Sequence, residues 1–326
     1  MKAIVVDSET DTAPLTWRTV ADPEYGAEEC LVEIHATAVN RADLLQRSGN
    51  YPPPPGASPY LGLEMAGVVA ATGAAVNQWH AGDRVCALLS GGGYAERVAV
   101  HQSHLMRVPE EWDFEKAAAV PEVFLTTFVN LFLEAGLVEG ETVLIHGGAS
   151  GVGTAAIQLA VEAGCRVLTT AGTPEKLAVC CDLGAELAIN YKESDFARAV
   201  LDHCDGADVI LDIAGASHLE GNLELLKNRG RLVVIAILGG STAQIDLGHL
   251  LRRRLRVIGS VLRSRSVEEK TVITREFQQR FWSALTAGRI RPIIDTVLPV
   301  TEAARAHDIL SANANIGKVV LNVRKV

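Results

Sequence analysis

The stretch Thr142-Val143-Leu144-Ile145-His146-Gly147-Gly148-Ala149-Ser150-Gly151-Val152-Gly153 decides the fold. An apolar run enters a glycine cluster, and the cluster opens Thr154-Ala155-Ala156-Ile157-Gln158-Leu159-Ala160, whose spacing is helical. Strand, tight turn and helix start follow in that order, the arrangement that sets a pyrophosphate on the free N–H groups of a helix N-terminus. The spacing is G-x-x-G-x-G, not G-x-G-x-x-G, so the glycines alone leave a turn without a ligand open. The next strand, Cys165 to Thr170, ends in Ala171-Gly172-Thr173-Pro174-Glu175-Lys176. An Asp or Glu roughly 20 residues past the glycines would hold the ribose hydroxyls of the unphosphorylated cofactor. No acid closes this strand. Gly172 and Thr173 leave room, and Lys176 supplies a cation one turn on, a set that binds a 2′-phosphate through charge-assisted hydrogen bonds. This predicts NADPH over NADH; the other reading makes Lys176 a solvated helix lysine.

Outward from this stretch, strand-like runs recur at Leu187 to Asn190, Val209 to Asp212, Arg231 to Ala236 and Arg256 to Ser260, with helices between. With the first two they predict an α/β domain built on a doubly wound six-stranded parallel sheet. Residues before Glu115 read differently. Short strands at Val5, Leu31 to Ala36, Ala66 to Ala70, Asp83 to Leu88 and Tyr94 to Val100 are separated by Pro52-Pro53-Pro54-Pro55-Gly56 and Gly91-Gly92-Gly93, as in a barrel-like β domain. A helix from Val267 to Gly288, a strand from Ile293 to Val300, a helix from Thr301 to Ser311 and a strand from Lys318 to Val323 return to it. The expected division is 1–119 with 266–326, and 120–265 inserted between them.

The chain has 326 residues, 48% hydrophobic and 21% charged, with net charge −9, so two ordinary cores fit and nucleic acid is not expected as a partner. The run Arg252-Arg253-Arg254-Leu255-Arg256 reads as a solvated helix end. No apolar stretch is expected to span a bilayer, and Met1 to Val6 is too short for a signal peptide. Six cysteines without C-x-x-C spacing suggest reduced thiols and a cytoplasmic protein.

Along the chain come Val39-Asn40-Arg41-Ala42-Asp43-Leu44, Gly49-Asn50-Tyr51-Pro52, Leu61-Gly62-Leu63-Glu64-Met65-Ala66-Gly67, Gly82-Asp83-Arg84-Val85, Leu125-Thr126-Thr127, Ser150 to Ala160 and Asn315-Ile316-Gly317-Lys318-Val319-Val320-Leu321. In this order these motifs resemble the zinc-free quinone oxidoreductase, zeta-crystallin-like branch of the medium-chain dehydrogenase/reductase superfamily. The segments from Asn40 to Ser58 and Leu262 to Arg265 look closest to the tumour-suppressor-inducible type. The resemblance implies a Rossmann domain inserted into a GroES-like β-barrel domain. Zinc alcohol dehydrogenases carry a Cys and a Gly-His-Glu where this chain has Asn40 and Gly62-Leu63-Glu64, and Gly91 to Leu105 lacks the cysteines of the structural zinc lobe. No metal is therefore expected; His101 and His104 read as surface or capping residues.

By the same resemblance, Asn40 and Tyr51 line the nicotinamide and substrate end and Thr126 lies beneath the nicotinamide. Ser150, Gly151 and Val152 hold the pyrophosphate, and Gly172, Thr173, Lys176 and Tyr191 surround the 2′-phosphate. Leu238 and Gly239 lie along the cofactor, and Leu262, Arg263 and Asn315 close over its ends. Tyr51 is the candidate proton donor, against a loop tyrosine packed on the prolines. Asn40 either holds the nicotinamide ribose or caps a helix starting at Arg41. Glu64 is expected as a structural carboxylate facing Arg41, and Asp43 as a structural partner. Without a Lewis acid, reducing a conjugated acceptor is easier than oxidising an alcohol. NADPH-dependent reduction of a quinone leads; reduction of an enoyl-thioester or 2-alkenal C=C bond, and a non-catalytic crystallin-like NADPH binder, are the alternatives. The edge strand 256–261 predicts a homodimer, since an unpaired edge needs cover.

Overall fold

A computed structural model describes residues 1–7 and 13–324. The chain divides into two compact units, Met1–Leu125 with Arg263–Thr286 and Pro292–Val326, and Thr126–Leu262 with Ala287–Arg291.

The first unit begins with β1 (Lys2–Val6) and β2 (Leu15–Thr19), an antiparallel ribbon of which the sequence signalled only the first strand. Then come β3 (Glu29–Val39), β4 (Glu64–Thr72), β5 (Arg84–Leu88), β6 (Arg97–His101) and β7 (Leu105–Arg107). The second unit holds β8 (Thr142–His146), β9 (Arg166–Ala171), β10 (Leu187–Asn190), β11 (Ala207–Asp212), β12 (Leu226–Val234) and β13 (Arg256–Gly259). The last strands, β14 (Ile294–Pro299) and β15 (Lys318–Asn322), belong to the first unit.

The eleven-residue β3 organises the first unit. Cys30, Val32, Ile34 and Ala36 are fully buried, which is the period of two that a half-buried strand requires. Register shifts at Leu31/Val32 and Ile34/Ala36 bend it, so its first half pairs β6 and its second half pairs β15 while β4 runs along the other edge. The sheet order β14-β15-β3-β4-β5-β7, with β6 on β3, is the GroES-like arrangement.

In the second unit the sheet order is β10-β9-β8-β11-β12-β13, all parallel, the doubly wound order with its switch point between β8 and β11. Leu144, Leu168, Ile210 and Leu232 are fully buried in its core. The basic run is a helix end, Leu247–Arg253, closed by Arg254 in the left-handed conformation. The helical run Phe114–Glu134 is 21 residues long with mean hydropathy 1.4 in its most apolar window, enough by length and composition to cross a membrane, yet 83% of that window is buried within the protein. Its apolarity serves core packing.

Candidate active site

In the first unit, Asn40 occupies the N-cap of the helix Arg41–Arg47, and the Asp43 carboxylate accepts the Asn40 N–H at 2.8 Å. The Asn40 amide is fully engaged. Its Nδ2 donates to Glu64 Oε1 at 2.9 Å, and its Oδ1 accepts from Lys318 Nζ at 2.5 Å. Glu64 has no exposed surface; its Oε1 pairs with Lys318 Nζ at 2.7 Å, and its Oε2 accepts the Glu122 N–H at 2.9 Å. The expectation that Glu64 faces Arg41 is thus corrected: Arg41 donates to Asn313 Oδ1, and the balancing cation is the buried Lys318. The sequence signal for Lys318 was a lysine opening the apolar run Val319-Val320-Leu321, where a charge needs a partner.

Asp43 is fully buried and also accepts the Gly62 N–H at 3.0 Å and the Tyr94 hydroxyl at 3.3 Å. Burial pushes its carboxyl up to about 6 against the pull of these donors. The Gly62 backbone, at φ +103°, approaches Gly93 so closely that a side chain there would meet backbone atoms at 2.5 Å. Tyr51 sits on the loop after the helix, half-buried, with its phenol raised by burial while Arg263 pulls it down. The Arg263 guanidinium carbon lies 5.1 Å from the Tyr51 ring centroid. Asn315 Nδ2 donates to the Gly317 carbonyl at 2.6 Å in the turn before β15. His101 caps the turn Gln102–His104 as expected, whereas His104 is buried, its Nε2 at 3.1 Å from the Val267 carbonyl.

In the second unit, β8 passes through the glycine turn into the helix Gly151–Glu162. Gly147 has φ +70°, a conformation that favours glycine, and Ser150 is the N-cap, its Oγ accepting the Gly153 N–H at 3.0 Å. A Cβ on Gly153 would stand 2.2 Å from the Gly147 carbonyl oxygen. The N–H groups of Gly151 and Val152, in the first turn of the helix, have no intrahelical carbonyl to reach and are open to an anion. Thr127, beside Thr126 on the helix Pro121–Phe128, donates to the Val152 carbonyl at 3.3 Å and braces this turn. His146 lies beneath it with Nδ1 3.1 Å from Thr170 Oγ1 and Nε2 2.7 Å from Asn222 Oδ1; burial pushes its imidazole down to about 4.

At the end of β9, Thr173 caps the helix Pro174–Asp182, accepting the Lys176 N–H at 3.4 Å. A Cβ on Gly172 would stand 3.0 Å from both Tyr191 Oη and Lys192 Cε, so these side chains converge over Gly172. Lys192 was not among the residues that the sequence singled out. Leu238 and Gly239 lie on the loop after β12; the Leu238 N–H donates to the Ile213 carbonyl at 3.1 Å and the Gly239 N–H to the Ala214 carbonyl at 2.7 Å. Leu238 is exposed, whereas Leu262 is buried at the end of this unit. The structure therefore brings Thr126, Ser150, Gly151, Val152, Gly172, Thr173, Lys176, Tyr191, Leu238, Gly239 and Leu262 into one unit, and Asn40, Tyr51, Arg263 and Asn315 into the other.

Residues 26–110 match the alcohol dehydrogenase GroES-like domain and residues 151–277 the zinc-binding dehydrogenase domain. The quinone oxidoreductase of Pseudomonas aeruginosa is 35% identical over 315 residues, covering 94% of this chain and 95% of that protein. That of Mus musculus is 32% identical over 309 residues, covering 93% and 91%. The solved quinone oxidoreductase of Thermus thermophilus, also determined as its complex with NADPH, has a TM-score of 0.84 at 34% identity and covers 99% of this chain and all of that one. A zinc ion does not fit the donor set of this chain: Asn40 offers an amide, Leu63 offers nothing, and the Glu64 carboxylate is already neutralised by an ammonium. Among the described residues, no group of three or more His, Cys, Asp or Glu is placed to hold a metal. With identity above 30% over nine-tenths of its length, the chain belongs to the quinone oxidoreductase family of the medium-chain dehydrogenase/reductase superfamily.

Proposed function

We propose that this protein is an NADPH:quinone oxidoreductase that works without a metal, as a cytoplasmic homodimer with no nucleic-acid or membrane partner. The observation that supports the cofactor assignment is the end of β9, where no carboxylate occupies the last strand positions, Tyr191 and Lys192 converge over Gly172, and Lys176 stands in the first turn of the helix capped by Thr173. The N–H groups of Gly151 and Val152 would hold the cofactor's anionic phosphates, and Thr173, Lys176 and Tyr191 would hold its 2′-phosphate. When bound, the nicotinamide supplies hydride. Asn40 keeps its loop fixed through Lys318 and Glu64, and Tyr51 donates a proton to the oxygen that gains charge in the acceptor. A quinone needs little more than this, because its reduced anion is already delocalised.

The test is cofactor oxidation, followed by the loss of nicotinamide absorbance, against ortho-quinones, para-quinones, alkenals and enoyl thioesters. Turnover is expected with quinones and NADPH. In Lys176→Ala the preference for NADPH over NADH should fall about tenfold, one charge-assisted contact being lost; an unchanged preference would remove the 2′-phosphate assignment. Faster turnover of enoyl thioesters, lost in Tyr51→Phe, would replace quinone reduction with C=C reduction.

A further inference from the structure

Arg263 is 5% exposed, and its guanidinium is engaged within the first unit. Nε donates to the Ser90 carbonyl at 2.9 Å, one terminal nitrogen to the Tyr51 carbonyl at 3.2 Å and the other to Gln46 Oε1 at 2.6 Å. Behind it stands Lys270, 8% exposed, on the helix Val267–Thr286. Its ammonium donates to Ser90 Oγ and to the Arg263 carbonyl, each at 2.7 Å. Every acceptor these two cations reach is neutral. Among the described residues, no carboxylate lies within ion-pair distance of either one.

Two adjacent cations buried without a counter-ion repel each other and lose their hydration, an arrangement a fold does not need merely to hold a loop. The loop has neutral ties of its own, such as Gln46 Nε2 to the Pro59 carbonyl at 3.0 Å. The Arg263 guanidinium, with Lys270 behind it, places positive potential against the face of Tyr51. The group they would complement is an anion at the phenol oxygen.

We propose that Arg263 and Lys270 are a positioning pair for Tyr51: Arg263 orients the ring and favours negative charge on its oxygen, and Lys270 holds Arg263 in place. This deepens the function proposed above and rests on it for the identity of the acceptor only. The O–H bond of Tyr51 breaks, its proton goes to the oxygen of the acceptor that has received hydride, and the phenolate regains a proton from water. Arg263 lowers the phenol against the upward push of burial and of the Glu122 carboxylate; Asp43 and Glu269 act on Arg263 and Lys270, and both cations are themselves held below their ordinary ranges by burial.

The test needs no turnover. A tyrosinate difference titration of the full chain against Tyr51→Phe isolates this one phenol. Arg263→Gln and Lys270→Met should each raise its apparent pKa by about one unit, and Arg263→Lys, which keeps the charge, should shift it less. With an acceptor, Arg263→Gln should lower kcat about tenfold with little change in KM for NADPH, and should add no further loss in the Tyr51→Phe background. If Arg263→Gln does not fold, Lys270→Met carries the test. An unchanged Tyr51 titration in a folded variant, or an equal loss of kcat with and without the phenol, overturns the proposal. A shifted titration in a protein that reduces no acceptor leaves this pairing standing and sinks the quinone reductase reading instead.

Discussion

A buried ammonium, Lys318 Nζ, faces the Glu64 carboxylate at 2.7 Å, with Asn40 Oδ1 and the Val39 carbonyl completing its shell. Both charges are nearly inaccessible, at 3% and 0% side-chain exposure, so each depends on the other. Lys318→Met would strand a buried carboxylate and cost about 3–5 kcal/mol. Adding Glu64→Gln removes the stranded charge and should recover at least half of that loss in urea unfolding; a double variant no more stable than the single one would contradict the pairing. His146 gives a second expectation at this scale. Its folded imidazole titrates at about 4, below the ordinary value of 6.5, so between those values the unfolded chain binds a proton that the folded chain refuses. Stability is therefore lost as pH falls through that window, by about 3 kcal/mol from this one group. His307, pushed down to about 3 by burial, acts in the same direction, and Asp43, raised to about 6, in the opposite one. The measurement is thus a difference: thermal unfolding of His146→Gln should show a shallower loss between neutral pH and pH 4 than the parent chain, and parallel curves would refute the assignment.

The glycine turn between β8 and the helix Gly151–Glu162 is the element to which the proposed function assigns the cofactor's phosphates. A methyl on Gly153 would meet the Gly147 carbonyl oxygen at 2.2 Å and the Gly148 Cα at 2.6 Å, both backbone atoms that cannot swing aside. Gly153→Ala should open the turn, destabilise the chain by about 1–3 kcal/mol and weaken NADPH binding at least about tenfold in calorimetric titration; an unaltered Kd would show that the turn does not hold the phosphates. This element was legible in the sequence because everything that makes it is local: a β-branched run, glycines where backbone must approach backbone, and Ser150 as cap. The six parallel strands were legible for the same reason. β2 was not, since Leu15-Thr16-Trp17-Arg18-Thr19 is only partly buried and lacks a clear alternation. The pairings that build the polar centre were also hidden. Lys318 with Glu64, Tyr94 with Asp43 and Lys270 with Ser90 join residues far apart in the chain, and spacing carries no trace of such contacts. The partners of Arg263 were hidden in the same way, because its donors go to Ser90, Tyr51 and Gln46, far from it in the chain.

At the scale of the whole molecule, β13 ends the parallel sheet and, among the described residues, is paired on one side only, by β12. Large apolar side chains are exposed beside it, among the arginines of the helix end. Val257 is 44% and Val261 52% exposed, and on the preceding helix Leu247 and Leu251 reach 70% and 79%. An open strand edge flanked by large apolar side chains invites pairing, and a second copy of the same strand can satisfy both the backbone groups and the apolar surface around a two-fold axis. Sedimentation at micromolar concentration should therefore give about twice the chain mass of 34.7 kDa. The double substitution Val257→Lys with Leu251→Glu places charges where the edge would close and should yield a monomer that keeps its far-ultraviolet dichroism, since neither side chain belongs to the unit's own core. A parent chain that sediments as a monomer, or a double variant that remains dimeric, would move the interface elsewhere and leave β13 as an edge protected by some other means.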